Sequence, residues 1–307
     1  MTAAQQVTQF ETLRPHLMAV AYRLTGTVAD AEDLVQEAWL RWDSAGKARN
    51  NVVDPRAWLT TVVSRLGLDR LRSAAHRRET YTGHWLPEPV VTGFDGTDPL
   101  CAVVAREDAR FAAMVVLERL NPDQRVAFVL HDGFAIPFAE VADVLGTNEA
   151  AARQLASRAR KALSREGAEP PPPDPTHNEV VGKLMAAIAE GDLDAVVALL
   201  HPDVTFTGDA AGKAPTAVHV IHGPDKVARF MFGLARRYGP AMFTANQLAL
   251  VNGELGAYTA GGPGADGYRE MLPRITAMTL RDGKVWALWD VANPDKFTGS
   301  PLRELAR

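Results

Sequence analysis

Five prolines within six residues, from Pro170 to Pro175, divide this 307-residue chain into two parts. Proline fixes its own φ angle and lacks an amide hydrogen, so neither a helix nor a sheet ladder continues through such a run. Apolar residues recur at helical spacing before the prolines, whereas several later runs alternate with the period of two that is typical of strands. The pattern therefore predicts helical domains first and an α+β domain after a stiff spacer.

A helix–turn–helix pattern occupies the stretch between Gln124 and Leu163. An apolar stripe ends at Leu145, Gly146 suits a left-handed helix cap, and Asn148 is the predicted N-cap of a second helix. The outward face of that second helix carries Arg153, Gln154, Ser157, Arg158, Arg160 and Lys161. Such side chains can read base edges and hold phosphates in a major groove. Taken by itself, the segment also fits an ordinary helical hairpin with a solvated basic face.

The formal net charge of −4 would be unusual for a nucleic-acid-binding protein, but the charges are unevenly distributed. Residues 1–165 contain 20 basic and 20 acidic side chains, whereas the remainder contains 13 and 17. The acidic excess thus lies in the C-terminal part. Local cationic stripes, rather than the total charge, set the affinity for phosphates.

Three further helices are predicted ahead of the helix–turn–helix. The first covers Phe10–Leu24, the second starts at Thr27 or Asp30 and runs through Trp42, and the third opens at Asp54-Pro55. The third helix carries basic side chains beside an aromatic one: Arg56, Trp58, Arg65, Arg70, Arg72, Arg77 and Arg78. Cations interleaved with an exposed aromatic ring suit single-stranded DNA. The alternative is that the tryptophan belongs to the core.

Six short motifs in this part resemble those of extracytoplasmic-function RNA polymerase sigma factors. Those similar to sigma region 2 are 30–37 (DAEDLVQE), 55–59 (PRAWL) and 68–72 (LDRLR). Those similar to sigma region 4 are 123–128 (DQRVAF), 140–142 (EVA) and 157–163 (SRARKAL). The two groups occur in the order and at the distance found in that family, and they cover about the first half of the chain.

The resemblance implies core RNA polymerase and promoter DNA as partners. Contacts with the clamp of the largest polymerase subunit are implied for Asp33, Gln36 and Glu37. Contacts with the −10 element are implied for Arg56, Trp58, Arg65, Asp69, Arg70, Arg72 and Arg77. Contacts in the −35 major groove are implied for Arg153, Gln154, Ser157, Arg158 and Lys161. Many relatives have Asn in place of Arg65, so the −10 preference does not transfer directly.

The part after the prolines is predicted to form an α+β cone with an internal pocket. Two helices are predicted first, one marked by Val180, Leu184, Ala187 and Ile188 and a shorter one marked by Leu193, Val196, Val197 and Leu200. The later predicted elements are a helix over Pro224–Tyr238 and strands at Val204–Phe206, Ala241–Val251, Glu254–Ala260, Tyr268–Leu280 and Lys284–Val291. Asn252-Gly253 and Asp282-Gly283 are predicted hairpin turns. This half resembles the SnoaL-like domains of the nuclear-transport-factor-2-like fold.

The chain is therefore expected to be a multidomain protein with two all-α sigma domains and an α+β SnoaL-like cone. Region 2 would be a helical bundle and region 4 a helix–turn–helix. The predicted limits are 1–80 for region 2, 81–104 for a linker, 105–167 for region 4, 168–177 for a proline-rich linker, 178–297 for the SnoaL-like domain and 298–307 for a tail.

A sigma factor fused to such a domain resembles one subgroup of the family, in which the appended domain regulates the sigma part in cis. Its marks in the linker and at the far end are Trp85, Leu86, Pro87, Glu88, Pro89, Asn293, Pro294, Asp295, Lys296 and Phe297. A third motif is represented by Asp209 and Lys213, with two glycines lost. Both outer motifs combine apolar and turn residues, so we predict that they meet and limit access to polymerase. A self-packed linker loop is the alternative.

Two other functions are open at this stage. SnoaL-like relatives include polyketide cyclases with a pocket Asp as general base, for which Asp209 or Asp290 would be the candidates. A ligand-sensing helix–turn–helix regulator, with a small ligand in the cone, would explain the pocket but not the acidic and basic helices. Binding to core polymerase distinguishes these two functions from a sigma factor, because only a sigma factor is expected to bind it.

We expect no catalytic residue, no metal and no cofactor. The histidines of the C-terminal part lack metal-ligand spacing, and the only glycine-rich run, 261–264, lies between predicted strands. The single cysteine, Cys101, excludes an internal disulfide. The chain has neither a signal-like start nor a membrane-spanning apolar run, so we expect a cytoplasmic protein without a membrane partner.

Overall fold

A computed structural model describes residues 3–46, 52–78, 81–104, 109–164, 171–239, 242, 245–264 and 267–306. The chain folds into two compact units, each described here by itself. The first, helical unit comprises residues 1–80, 99–109 and 113–169. The second unit comprises residues 81–98, 110–112 and 170–307, so the predicted linker groups with the C-terminal part of the chain.

The N-terminal half contains the predicted helices and also short helices that were not predicted from the sequence. They are α1 (Ala3–Thr25), α2 (Val28–Ser44), α3 (Pro55–Arg78), α4 (Cys101–Val104), α5 (Phe111–Leu117), α6 (Pro122–Phe128), α7 (Phe138–Leu145) and α8 (Glu149–Ser164). A π-helical turn at Val129–Gly133 follows α6. Local capping explains the boundaries, since Thr27 and Asn121 cap α2 and α6 and Asp54 accepts amide hydrogens at the start of α3.

The helix–turn–helix has the geometry that its sequence predicts. Gly146 has a φ of 65°, a left-handed conformation that glycine adopts without a Cβ clash. The Asn148 side chain accepts the Ala151 amide hydrogen at 2.9 Å at the start of α8. Three small residues of α8 are completely buried and allow close packing: Ala152, Ala156 and Ala159. The face of α8 opposite to them is therefore available for recognition.

The second unit is built on a seven-stranded sheet in the order β1-β4-β5-β6-β7-β2-β3. Its strands are β1 (Val91–Thr92), β2 (Leu200–Asp209), β3 (Ile221–His222), β4 (Gln247–Val251), β5 (Glu254–Thr259), β6 (Arg274–Arg281) and β7 (Lys284–Val291), and its helices are α9 (His177–Glu190), α10 (Leu193–Leu199) and α11 (Pro224–Tyr238). All pairs are antiparallel except β2–β7, which is parallel. Apolar residues of α9, α11 and the central strands form its core.

Four details of the second unit differ from the sequence prediction. The strand expected from Tyr268 begins only at Arg274, because Pro273 interrupts the ladder and only an isolated bridge precedes it. The strand expected from Ala241 begins at Gln247. The linker, predicted to be irregular, contributes strand β1, and the predicted tail contains a short 3-10 helix, Pro301–Ala306. Within the described residues, no helix is both long enough and apolar enough to cross a bilayer.

Candidate functional site

The linker is built into the sheet of the second unit. Residues 86–92 are all buried, and β1 pairs with β4 so that Val91 lies opposite Val251. Asn252, in the turn after β4, accepts the Val90 amide hydrogen at 3.0 Å and donates its own amide to the Val90 carbonyl at 2.8 Å. The linker therefore acts as an edge strand of the C-terminal sheet, held by main-chain hydrogen bonds.

Asp209, the last residue of β2, is the centre of a buried polar cluster. Its Oδ1 accepts the Tyr81 hydroxyl at 2.5 Å. Its Oδ2 accepts the Leu86 amide at 2.8 Å and the Lys296 ammonium at 2.6 Å. We call the group formed by Tyr81, Trp85, Leu86, Asp209, Asn293 and Lys296 the clasp. It joins the linker, the end of β2 and the segment after β7 around a single carboxylate.

Lys296 connects the clasp in three directions. Its ammonium group donates to the Leu86 carbonyl as well as to Asp209, and it lies 3.4 Å from the centre of the Trp85 ring. Lys296 is 2% exposed and Asp209 is 0% exposed, so water does not reach the ion pair. Removing either partner would leave the other charge buried without compensation. The aromatic face adds a cation–π attraction that is larger away from solvent.

Tyr81 completes the cluster as a hydrogen-bond donor. Asn293 donates its amide hydrogen to the Tyr81 hydroxyl oxygen at 2.9 Å, while that hydroxyl donates to Asp209. Burial raises the pKa of the Tyr81 phenol well above its usual value, and the hydrogen bond to Asp209 and the charge of that carboxylate raise it further. The phenol therefore stays protonated and can only donate to the carboxylate.

Strand register explains why these residues meet. Strands β2 and β7 run parallel with Asp209 opposite Val291, and the Ala292 amide donates to the Asp209 carbonyl at 2.7 Å. The Asn293 side chain then caps a 3-10 turn at Pro294–Lys296, which directs Lys296 back to the end of β2. The sequence predicted a meeting of the Trp85–Pro89 and Asn293–Phe297 segments, and in the structure they are in contact.

The remaining motif residues surround this cluster. Glu88 is buried and accepts the Gly299 amide at 2.9 Å, and Pro87, Pro89 and Phe297 are buried beside it. A second Lys–Asp pair joins the same two motifs, but it lies on the surface: Lys213 contacts Asp295 at 2.5 Å, and their side chains are 47% and 64% exposed. Pro294 lies in the 3-10 turn. Asp209 and Lys213, which belong to one sequence motif, thus bind different partners.

A second anchor holds the chain at the start of region 4. Arg110 forms an ion pair with Glu254 at 3.2 Å and donates to the Pro171 carbonyl at 2.7 Å. The next residue, Phe111, lies 5.5 Å from Trp289, ring centre to ring centre. The segment that connects the two helical regions is therefore attached to the C-terminal unit at both ends, by the clasp and by this anchor.

In the helical unit, α8 presents the predicted recognition face. The five residues predicted to enter the −35 groove are all exposed: Arg153, Gln154, Ser157, Arg158 and Lys161. Arg153 pairs with Glu149 one turn earlier and lies 5.0 Å from the Phe138 ring. The five side chains lie on one face of the helix, because residues 153, 157 and 161, and likewise 154 and 158, are four positions apart, as a helix that enters a groove requires.

The α3 residues predicted to contact the −10 element lie in several different environments. Arg65 donates to the Asp143 carbonyl at 3.0 Å, and Arg72 pairs with Asp123 at 2.9 Å, so both contact the region 4 part of the same unit. Arg70 instead binds Asp30 of α2 at 2.6 Å. The remaining members are exposed Arg56 and Asp69, half-buried Trp58, and Arg77, whose side chain lies outside the described residues.

Trp58 lies 5.3 Å from Trp42, ring centre to ring centre, so it is partly a core residue. Arg56 lies 3.2 Å from the His16 ring. On α2, Asp33, Gln36 and Glu37 line a shallow groove that continues onto α3. Leu40, in the same groove, is 53% exposed. The groove therefore combines one exposed apolar side chain with acidic and amide groups.

Three protein-family models match successive parts of the chain. Residues 9–77 match the Sigma-70 region 2 model, residues 110–163 match the Sigma-70 region 4 model, and residues 181–288 match the SnoaL-like domain model. Over 300 residues, 97% of this chain and 95% of the relative, the chain is 78% identical to the ECF RNA polymerase sigma factor SigJ of Mycobacterium tuberculosis. The chain is an extracytoplasmic-function RNA polymerase sigma factor.

Two further comparisons describe the sigma factor's relatives. The crystal structure of Mycobacterium tuberculosis SigJ superposes with a TM-score of 0.85 at 76% identity and covers 96% of this chain and 99% of that one. The probable sigma factor SigI of the same organism is 35% identical over 220 residues, 70% of this chain and 71% of the relative. The predicted family and the predicted fold, two helical sigma domains and an α+β cone, are both confirmed.

The C-terminal domain of the sigma factor contains a cavity that is partly open to solvent. Asp290 lines this cavity and accepts the Thr216 hydroxyl at 2.8 Å and Arg274 at 3.3 Å. The idea of Asp209 as a pocket base is wrong, because among the described residues it is not part of the lining and both its oxygens bind clasp groups. The described residues contain no His, Cys, Asp or Glu cluster of metal-binding geometry.

Sequence reasoning missed Tyr81 and the pair Arg110–Glu254. Tyr81 carries a weak signal, since it is an aromatic residue four positions before Trp85 in a proline- and glycine-rich stretch. Arg110 and Glu254 are separated by 144 residues, and no local pattern links them. Such pairs depend on the strand order, which is a tertiary property.

Proposed function

We propose that the C-terminal domain controls this sigma factor in cis by fixing the linker that joins region 2 to region 4. A sigma factor holds core polymerase while region 2 meets the −10 element and region 4 meets the −35 element, so the two regions must be able to separate. A linker held in the C-terminal sheet at the clasp limits that separation. The domain would thus set how readily polymerase and promoter are engaged.

The observation that carries this proposal is the buried Lys296–Asp209 ion pair, which also holds the Leu86 amide and carbonyl. A buried pair of this kind is strongly destabilised when one partner is removed, because the other charge is left without compensation. Closure of the clasp is therefore cooperative. The linker is either held by the complete cluster or released from it.

The test is run-off transcription with purified core polymerase and the full chain. Lys296→Met should release the linker and raise both the affinity for core polymerase and the amount of transcript. Lys213→Met is the matched control, since Lys213 forms an exposed pair between the same two motifs and its loss should change little. Equal output from wild type and Lys296→Met, with both folded, would contradict regulation through the clasp.

We infer that α8 reads the −35 element and that α3 contacts the −10 strand. Support comes from the exposed basic face of α8 and from the exposed arginines of α3. Arg65 and Arg72 contact the region 4 part of the helical unit in this structure. Their use on DNA would require those contacts to open, which agrees with a regulated separation of the two regions.

We infer that the groove on α2 binds the polymerase clamp through Asp33, Gln36 and Glu37. Its exposed Leu40 supplies an apolar contact, and the acidic groups suit a basic partner surface. Charge reversal at Glu37 should weaken co-purification with core polymerase, while DNA binding by region 4 stays intact.

We infer that the C-terminal domain regulates rather than catalyses. Asp290 shares its Oδ2 between the Thr216 hydroxyl and the Arg274 guanidinium, so these two donors already occupy the oxygen that a general base would offer to a substrate proton. A cyclase or isomerase activity would require Asp290, so turnover that disappears in Asp290→Asn would contradict this inference.

A further inference from the structure

The cavity of the C-terminal domain has an unusual lining. Five of the chain's eight methionines line it: Met185, Met231, Met242, Met271 and Met278. Methionine is flexible and polarisable, and its sulfur makes favourable contacts with aromatic rings. A wall of several methionines can adapt to a flat or irregular apolar molecule better than a wall of branched side chains can.

The polar groups of the cavity are concentrated around Arg274. Its Nη1 lies 3.3 Å from Asp290 Oδ2, and its Nη2 donates to the Pro215 carbonyl at 3.3 Å. Within the described part of the chain its Nε is buried and has no hydrogen-bond partner. A buried donor without a partner is unfavourable, so a ligand that supplies an acceptor there would be bound selectively.

Charge limits the class of ligand. The Arg274 guanidinium is already paired with the Asp290 carboxylate, and their side chains are 12% and 3% exposed. The pair is neutral overall, so the site does not require a charged ligand. What Nε lacks is an acceptor, which a carbonyl oxygen on an otherwise apolar molecule would provide.

The polar end of the cavity is adjacent to the clasp. In the parallel β2–β7 pair, Asp290 lies opposite Gly208, and the next pair along is Asp209 with Val291. Thr216, which donates to Asp290, packs directly against Gly208, where a Cβ atom would lie only 2.0 Å from the Thr216 hydroxyl oxygen. Asp290, which lines the cavity, and Asp209, which is the centre of the clasp, therefore belong to consecutive residue pairs of the β2–β7 ladder.

We propose that the cavity binds a small, largely apolar and polarisable molecule whose carbonyl oxygen accepts from Arg274 Nε, and that its occupancy stabilises the clasp. The second half of the proposal rests on the regulatory function proposed for the clasp. Such a ligand orders Arg274 and Asp290, and through the shared ends of β2 and β7 it favours the state in which Asp209 holds the linker. By linkage, opening of the clasp weakens ligand binding by the same factor.

The test uses two probes of nearly equal shape, 2-acetylnaphthalene and 2-isopropenylnaphthalene, which differ in a carbonyl oxygen against a methylene group. Titration calorimetry on the full chain should show the ketone binding roughly tenfold or more tightly, as expected for a hydrogen bond from a charged donor. Equal binding of the two probes, or no binding of either, would overturn the assignment. This comparison needs no variant and so does not depend on the folding of one.

Variants locate the site. Arg274→Met should abolish the preference for the ketone, whereas Arg281→Met, at the other end of the same strand, should keep it. Met231→Trp should fill the cavity and weaken both probes, with circular dichroism as the check on folding. A ketone preference that survives in folded Arg274→Met would place the probe elsewhere and overturn the proposal.

Coupling to the clasp is measured separately, without polymerase. Saturating 2-acetylnaphthalene should slow hydrogen exchange in the peptide that contains Leu86, which the probe does not touch. Lys296→Met should lower ketone affinity several-fold, and Lys213→Met should leave it unchanged. Ketone-selective binding without any effect on that peptide would overturn the coupling alone. Transcription that is insensitive to Lys296→Met would instead contradict the proposed function and leave the binding site standing.

Discussion

At the clasp, Lys296 and Asp209 have side chains that are 2% and 0% exposed, whereas Arg153 of α8 and its partner Glu149 are 60% and 49% exposed. Both are pairs of opposite charge, but water screens only the second. A buried pair holds its groups in one geometry and is costly to break, while an exposed pair exchanges its partner for a phosphate at little cost. Pairs of opposite charge therefore fasten the linker in one unit and remain exposed to solvent in the other.

The largest effect is expected for Lys296→Met. Removing the ammonium group leaves the Asp209 carboxylate buried, and its remaining donors among the described residues are the Tyr81 hydroxyl and the Leu86 amide. We expect the second unit to lose about 3–5 kcal/mol of unfolding free energy, measured by urea denaturation. Lys213→Met should cost about 1 kcal/mol or less, since its pair is exposed. Similar losses for both would show that burial does not distinguish these pairs.

Tyr81→Phe should have the next largest effect, about 1.5–3 kcal/mol, because it removes a hydrogen bond to a buried carboxylate. It should also change the pH dependence. The raised pKa of Tyr81 keeps the phenol protonated in the folded chain, whereas in the unfolded chain it ionises near the usual value of 10.0. The unfolding free energy of the wild type should therefore fall as pH rises above that value.

Below that value both states keep the proton, so Tyr81 adds no slope there. Tyr81→Phe should lack this alkaline decline, which is read from denaturation curves of both proteins across the alkaline range. Parallel declines in the two proteins would mean that other groups cause it.

A smaller effect, about 1–3 kcal/mol in DNA binding, is expected for Arg158→Ala if this residue contacts a base in the −35 groove. Arg160→Ala is the matched control, because Arg160 lies on the same helix and is paired with Asp132 at 2.6 Å. Binding of reconstituted holoenzyme to promoter DNA, measured over a range of salt concentrations, separates base contacts from phosphate contacts. An equal loss for both variants would indicate a purely electrostatic surface.

The smallest effect is expected for Asp123→Asn. The Arg72–Asp123 pair is about half exposed on both sides, so its loss should cost about 1 kcal/mol or less in the stability of the helical unit. If Arg72 exchanges Asp123 for DNA during initiation, this variant should raise promoter affinity slightly. A marked loss of stability would show that the contact is structural and would weaken the comparison drawn above.

The sequence by itself determined the local elements of this protein. Spacing of apolar residues and capping groups predicted α2, α3, α7 and α8, because helix periodicity and caps are encoded within a few neighbouring residues. It also predicted Gly146 as a helix cap and the two hairpin turns of the sheet. The motif resemblance named the correct family, which needs only short-range order and spacing.

Tertiary structure alone decided how the motifs are used. Asp209 and Lys213 belong to one motif, yet the parallel register of β2 and β7 buries the first and leaves the second on the surface. The linker became strand β1 because an open edge of β4 was available to satisfy its backbone groups. Partners that lie 87 and 128 residues away along the chain, Lys296 and Tyr81, meet at Asp209 only after the sheet has formed, since no local energy term specifies such a contact.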